Sequence, residues 1–284
     1  MGITTLFEGT VIFLVGLCVG SFLNVCVYRF PKEYSIFKPV FSFCPHCKKT
    51  INWYDNIPLL SYLILRGKCR YCGGRISFRY FLVELITGLV FLFCYIQAGF
   101  SLLFLELVVL FSLCILVSFI DIEYRAIPGW ICVGGILAGL SLSLVKTVII
   151  LKNTDIFNIQ LLYLPVSQSL MGLLLCVGLS YSLKLLGDFG LWLYLSLRKK
   201  ESIEGEKEAL GLGDVDFLGM IGVFLGWKLG FLTFFLAPLV AVIYGLYIIL
   251  FKKSHLIAYL PFLSIAAFIS AFWGDKIIRL FFYF

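Results

Sequence analysis

Long apolar runs follow one another along the chain, and one extended polar stretch interrupts them. The runs predict membrane-spanning helices at about 7–28, 80–98, 101–121, 127–150, 165–187, 215–229, 231–251 and 256–273. Most approach the roughly 20 residues needed to cross a hydrocarbon core. The fifth is expected to continue inward to about 197. The break at Ala98-Gly99-Phe100-Ser101 reads as a tight turn, and Pro128 sits where a helix can start. The polar stretch, 29–80, is cut by Gly and Pro into short pieces between cysteine pairs, which predicts hairpins and knuckles. The expected fold is an all-α polytopic membrane protein of about eight transmembrane helices with a small cytoplasmic zinc-binding insert. Its expected parts are a first span (1–29), the insert (30–79) and a seven-span core (80–284).

Composition supports this and excludes an ordinary soluble domain. The chain is 61% hydrophobic and 14% charged, with a mean hydropathy of +1.03. Soluble domains are nearer 45–50% apolar and about 25% charged. The net charge of +7 matters for where the cations sit. Ten of the 23 basic residues, among them Arg29, Lys38, Arg70 and Arg79, lie in the polar stretch. The positive-inside rule makes that stretch cytoplasmic and, with eight spans, puts both chain ends outside. The surplus therefore speaks of topology beside membrane lipid, and no nucleic-acid partner is expected. Glu8, not a basic residue, stands at the start of the first run, and no small-residue cleavage site follows the run. An uncleaved first span is expected rather than a signal peptide.

Of the ten cysteines, six (Cys18, Cys26, Cys94, Cys114, Cys132, Cys176) stand singly in apolar runs, where Cys acts as a small hydrophobe. The other four form Cys44-Pro45-His46-Cys47 and Cys69-Arg70-Tyr71-Cys72. Two residues between cysteines let both sulfurs reach one metal, and a second such knuckle completes a tetrahedron. The pattern points to structural zinc held by Cys44, Cys47, Cys69 and Cys72. His46 is a weaker candidate ligand, and thiols for redox exchange are the other reading.

Acids at membrane depth are the remaining signal, because a carboxylate at the bilayer centre costs roughly 2.5–3.5 kcal/mol. Asp121 ends the third run and Asp214 opens the sixth, each where a span meets a charged loop. Two carboxylates brought together could share a proton and activate water. Gly211 and Gly213 leave room for a substrate backbone. Glu123 and Asp216 each stand two residues from one of these aspartates and face another way. Glu84, in the second span, is a candidate supporting residue. Lys184 and Asp188 can pair along one helix face, and Ser21 and Asn24 can hydrogen-bond to a neighbouring helix. The plain alternative is two interfacial acids that only reach for water. A different class, a transporter or a metal-sensing scaffold, would instead spread its acids through the depth of several spans.

With these residues in view, the chain resembles the bacterial type IV prepilin peptidases, prepilin leader peptidases that are also N-methyltransferases. Gly20-Ser21-Phe22-Leu23-Asn24-Val25 is similar to the family's first-span ending, and Trp53 to Tyr62 with both cysteine pairs to its cytoplasmic domain. Asp121 to Pro128 and Gly211-Leu212-Gly213-Asp214 resemble its two aspartate motifs. The resemblance implies cleavage of a short basic leader after a glycine in prepilins or pseudopilins, at the cytoplasmic face of the bacterial inner membrane. It further implies methylation of the new N-terminus from S-adenosylmethionine, with Asp121 and Asp214 as the catalytic pair. Two positions depart from the family's pattern: Gly129 stands where Asp is usual, and Asp216 where Lys is usual.

Overall fold

The structure, a computed structural model, describes residues 3–35, 41–153, 161–198, 210–251 and 258–282. Helices dominate: α1 (Ile3–Arg29), α2 (Leu60–Ile64), α3 (Phe78–Ala98), α4 (Leu102–Tyr124), α5 (Gly129–Asn153), α6 (Pro165–Arg198), α7 (Leu212–Phe251) and α8 (Leu260–Phe282). All but α2 are long and apolar enough to cross a membrane, seven in total among the described residues. Large apolar side chains such as Leu14, Phe22, Leu137, Leu174 and Ile243 stay exposed. In water such a surface would be a liability, whereas against lipid it is the expected outer face. The chain is a multi-pass membrane protein.

The chain divides into two compact units, Met1–Ala126 and Ile127–Phe284. In the first, α1, α3 and α4 pack together around residues such as Val27, Val83, Cys94, Leu110, Val117 and Ile120. The seams are closed by polar groups too: Asn24 Nδ2 donates to the Tyr80 carbonyl at 3.0 Å, joining α1 to α3 as the sequence suggested. Ser77 caps α3 by accepting from the Arg79 N–H, and Ser101 caps α4 by accepting from the Phe104 N–H.

In the second unit α7 is central and packs on α5, α6 and α8. Every residue from Phe217 to Val223 is buried. A helix that is apolar all round belongs inside, so it shows no amphipathic face. The predicted spans 215–229 and 231–251 are the two arms of α7. They divide at Gly226, whose φ of 74° and ψ of 175° are non-helical. The chain reverses there: a Cβ placed on Gly230 would lie 3.2 Å from the Gly222 Cα. In a straight helix eight residues would separate the two by about 12 Å.

Helix ends differ from the hydropathy limits where charge begins. α8 runs to Phe282, past the predicted end at 273, through Asp275, Lys276 and Arg279. At 34 residues α6 is about 50 Å long, against a hydrocarbon core of about 30 Å. Its last turns therefore have no need of apolar surroundings. The predicted polar loop 198–210, except its ends, lies outside the described residues, as do Lys38 and Lys252-Lys253.

Candidate active site

The four knuckle cysteines gather as the pattern required. Their sulfurs all lie within 4.8 Å of one another, and Cys44 Sγ and Cys72 Sγ are 3.8 Å apart. Zinc–sulfur bonds of about 2.3 Å in a tetrahedron put the sulfurs about 3.8 Å from each other, so the cluster fits such an ion. The two knuckles share one backbone pattern. Cys44 N–H donates to the Lys49 carbonyl and Lys48 N–H to the Cys44 carbonyl, both at 2.9 Å. Cys69 N–H donates to Gly74 at 2.8 Å and Gly73 N–H to Cys69 at 2.9 Å. Each fifth residue has positive φ, 59° at Lys48 and 68° at Gly73. Single antiparallel bridges, Phe43 to Thr50 and Lys68 to Arg75, close them. Backbone N–H groups of Cys72 and Tyr71 aimed at the Cys69 sulfur lower its pKa to about 7, which favours the thiolate a metal needs. His46 packs beside Gly74 between the knuckles.

Polar contacts that the sequence did not reveal tie the insert together. Arg70 grips Asp55 bidentately, at 2.8 Å from Nε to Oδ2 and 2.6 Å from Nη2 to Oδ1. That carboxylate raises the already high pKa of the guanidinium. Asn52 Nδ2 donates to the hydroxyls of Tyr54 and Tyr71, at 2.6 and 2.8 Å. Glu84, buried on α3, reaches into the insert and accepts the Leu59 N–H at 2.8 Å. Leu59 sits at a φ of 60°, unusual for a branched side chain. Glu84 thus holds a strained backbone turn in place.

Asp121 is buried in the last turn of α4. Its carbonyl accepts the N–H of Arg125, which ends the helix in the left-handed region at φ 50°. Glu123, two residues on, is ion-paired with Arg79 from the first turn of α3. Asp121, Glu123, Glu84 and the cysteine cluster all belong to the first unit.

Gly211, Gly213, Asp214 and Asp216 belong to the second. Asp214 lies in the first turn of α7, and its Oδ2 accepts the Gly211 N–H at 3.1 Å. The room at the two glycines is used by the protein itself. A Cβ on Gly213 would sit 3.0 Å from the Ile127 Cβ, and one on Gly211 would sit 3.2 Å from Asp214 Oδ2. Lys184 pairs with Asp188 at 3.2 Å and also donates to the Leu210 carbonyl at 2.9 Å. This buried lysine therefore pins the backbone just ahead of Gly211. Tyr259, just before α8, is pushed up to about 12, chiefly by burial and also by the negative charge of Asp214. The Lys184–Leu210 contact carries no sequence signal, since 26 residues separate the two. Gly129 and Asp216 are neighbours in space: a Cβ on Gly129 would lie 3.8 Å from Asp216 Oδ2.

A buried Asp121 in the last turn of α4, Asp214 in the first turn of α7 and a four-cysteine cluster, in a multi-pass membrane protein, fit one class, the membrane peptidases of the aspartate type. Comparison with known proteins makes this specific. Residues 14–98 match the bacterial peptidase A24 N-terminal domain, and residues 108–246 match the type IV leader peptidase family. A prepilin leader peptidase/N-methyltransferase of Klebsiella pneumoniae is 33% identical over 78% of this chain and 86% of its own length. One from Aeromonas salmonicida (strain A449) is 30% identical over 95% of this chain and 92% of its own. One from Myxococcus xanthus (strain DK1622) is 39% identical over 78% of this chain, which spans 58% of that relative's length. No solved structure matches. The chain belongs to the type IV leader peptidase family. That membership sets aside the transporter and scaffold reading.

Proposed function

We propose that this protein removes the leader peptide from type IV prepilins or pseudopilins and methylates the amine so exposed. The supporting observation is the pairing of family membership with two aspartates, Asp121 and Asp214, each at the end of a membrane helix. Hydrolysis needs both carboxylates at one scissile bond. Water attacks the carbonyl carbon and gives its proton to the ionised aspartate. The protonated aspartate hydrogen-bonds the carbonyl oxygen and stabilises the tetrahedral intermediate. Collapse breaks the C–N bond, and the leaving amine takes a proton. Asp214 suits the base: the positive end of the α7 dipole and the Gly211 N–H face it. Asp121, at the opposite kind of helix end, suits the acid. Glu123, held by Arg79, stands two residues from Asp121, and Asp216 two residues from Asp214; each acts on the surroundings of its own aspartate.

Cleavage follows a glycine, at the cytoplasmic face of the inner membrane, where the basic insert is expected to lie. Cys44, Cys47, Cys69 and Cys72 would hold zinc, which as a structural ion fixes a segment with little apolar core and takes no part in catalysis. S-adenosylmethionine supplies a methyl group: the new amine attacks the methyl carbon, the carbon–sulfur bond breaks, and the amine loses a proton. Mass spectrometry of a co-expressed prepilin tests the reading. Leader loss with a gain of one methyl group supports it. An uncleaved prepilin beside well-folded enzyme would refute it.

A further inference from the structure

The insert of the first unit shows an apolar face that the metal cluster does not account for. Helix α2 has two unlike sides. Ser61, Tyr62 and the adjoining Leu65 line a cavity of about 410 Å³ that α1, α3 and the cysteines also bound. Leu60, Leu63 and Ile64 lie outside that lining, at the i, i+3, i+4 spacing of one helix face, and all three are exposed, Ile64 at 71%. Ile57 just before α2 is exposed too, as is Trp53 in the neighbouring turn Trp53–Asn56. Single apolar side chains on a surface are ordinary, but a contiguous group marks an interaction site.

The fold fixes this face firmly. A five-residue helix does not stand alone in water. The start of α2 is fastened to α3 by the Leu59 N–H on Glu84. Its Tyr62 ring meets Phe78 and Phe81 at 6.2 and 5.6 Å between centroids. Gly67, at a φ of 65°, closes on the same ring: a Cβ there would lie 2.9 Å from Tyr62 Oη. Leu59 is held at a φ of 60°, and strain of this kind persists only where the surroundings over-determine it.

What covers the face follows from where it sits. Phe78 is the first residue of α3, a helix long and apolar enough to cross a membrane, and is itself exposed. It stacks on Phe81 with centroids 5.5 Å apart, so these rings and Tyr62 carry the surface of α3 onto α2 without a break. The start of a span lies at headgroup level, where aromatic rings gather. Charge agrees. Exposed Arg66 and Lys68 follow α2 within four residues, and no acidic residue stands between Asp55 and Glu84. Cations beside an apolar helix face suit the phosphates of acidic lipid.

We infer that α2 is an interfacial anchor: Leu60, Leu63 and Ile64 enter the lipid boundary beside the start of α3, with Arg66 and Lys68 at acidic headgroups. The insert is then tied to the membrane at a point of its own, besides the chain ends that continue into α1 and α3. Lipid thereby sets the height of the cysteine cluster above the bilayer.

The test places photoreactive benzoylphenylalanine at one position of the full chain, reconstituted in vesicles of equal parts phosphatidylcholine and phosphatidylglycerol. Position 64 is compared with Leu89, an exposed side chain of α3, and with Thr50, exposed in the first knuckle. Lipid adducts, read by mass spectrometry, should form at 64 in a yield comparable to 89 and about tenfold above 50, as befits a side chain in the acyl boundary rather than in water. At 64 phosphatidylglycerol adducts should outnumber those of phosphatidylcholine by about fivefold or more, roughly the factor each basic residue near acidic lipid contributes. Arg66→Gln with Lys68→Gln should reduce that bias severalfold. Metal content shows whether the insert stays folded, and position 60 replaces 64 if it does not. Adducts at 64 with a second copy of the chain, or with co-reconstituted prepilin in place of lipid, would overturn the anchor. A yield at 64 no higher than at 50, while 89 labels normally, would do the same. Equal labelling of the two lipids would overturn the part given to Arg66 and Lys68. Each of these results would leave leader cleavage as proposed.

Discussion

The insert and the helical core of this chain hold their shapes by opposite means. From 41 to 77 scarcely any side chain is buried apart from Cys44, and form comes from four sulfurs, two matched knuckles and a bidentate Arg70–Asp55 pair. In the core, shape comes from apolar packing, with α7 buried on every side from Phe217 to Val223. One region depends on a few specific bonds and the other on many interchangeable ones. Damage should therefore be abrupt and local in the first, and graded in the second except at its few functional acids.

The sharpest way to test this division is Asp121→Asn or Asp214→Asn. Each should lower leader cleavage by about 10²–10⁴-fold or more, while metal content stays at the wild-type level. Loss of metal on either substitution would break the proposed independence of insert and core.

Cys69→Ser removes one sulfur of four. Bound metal, read by atomic absorption, should drop to background, and the insert should become sensitive to trypsin. Helical content should barely change. Acid should act in the same direction. The Cys69 thiol is lowered to about 7 and its neighbour Cys72 raised to about 11, so the sulfurs take up protons as a group. Metal affinity should fall as the pH is lowered because protons compete for the thiolates.

Gly129→Asp and Asp216→Lys introduce, on two neighbouring positions, the residues that the sequence resemblance leads one to expect. Made together they should differ from the sum of the single changes by about 0.5–3 kcal/mol in ΔΔG‡ for leader cleavage, the size of coupling expected between neighbours. Additive single effects would show that the two sites do not communicate.

The smallest effect compares the knuckles themselves. Gly73→Ala introduces a side chain at φ 68° and should cost about 1 kcal/mol, whereas Lys48→Gly relieves the same position in the other knuckle. The two should shift the chelator concentration needed to strip the metal by a few-fold in opposite directions.

What the sequence could reveal follows the same division. Apolar runs locate spans because lipid selects composition residue by residue, and paired cysteines reveal a metal site because ligand spacing is local. Contacts between distant residues leave no local trace. Arg79 and Glu123 are 44 positions apart, and Glu84 meets Leu59 from 25 away. Hydropathy also marks where lipid ends rather than where a helix ends, which is why α8 outruns its predicted limit. The spans 215–229 and 231–251 put the break between them at Gly230. It falls at Gly226, where the backbone conformation demands glycine.

That last residue governs more than a bend. Its φ and ψ lie in a region that essentially only glycine occupies. Were any other amino acid to straighten it, the 40 residues of α7 would form one rod about 60 Å long. The hairpin that brings Gly230 back beside Gly222 would be lost. Everything C-terminal to that point, α8 included, would be carried away from its packing on α7. The assembly of the second unit thus turns on a single missing side chain.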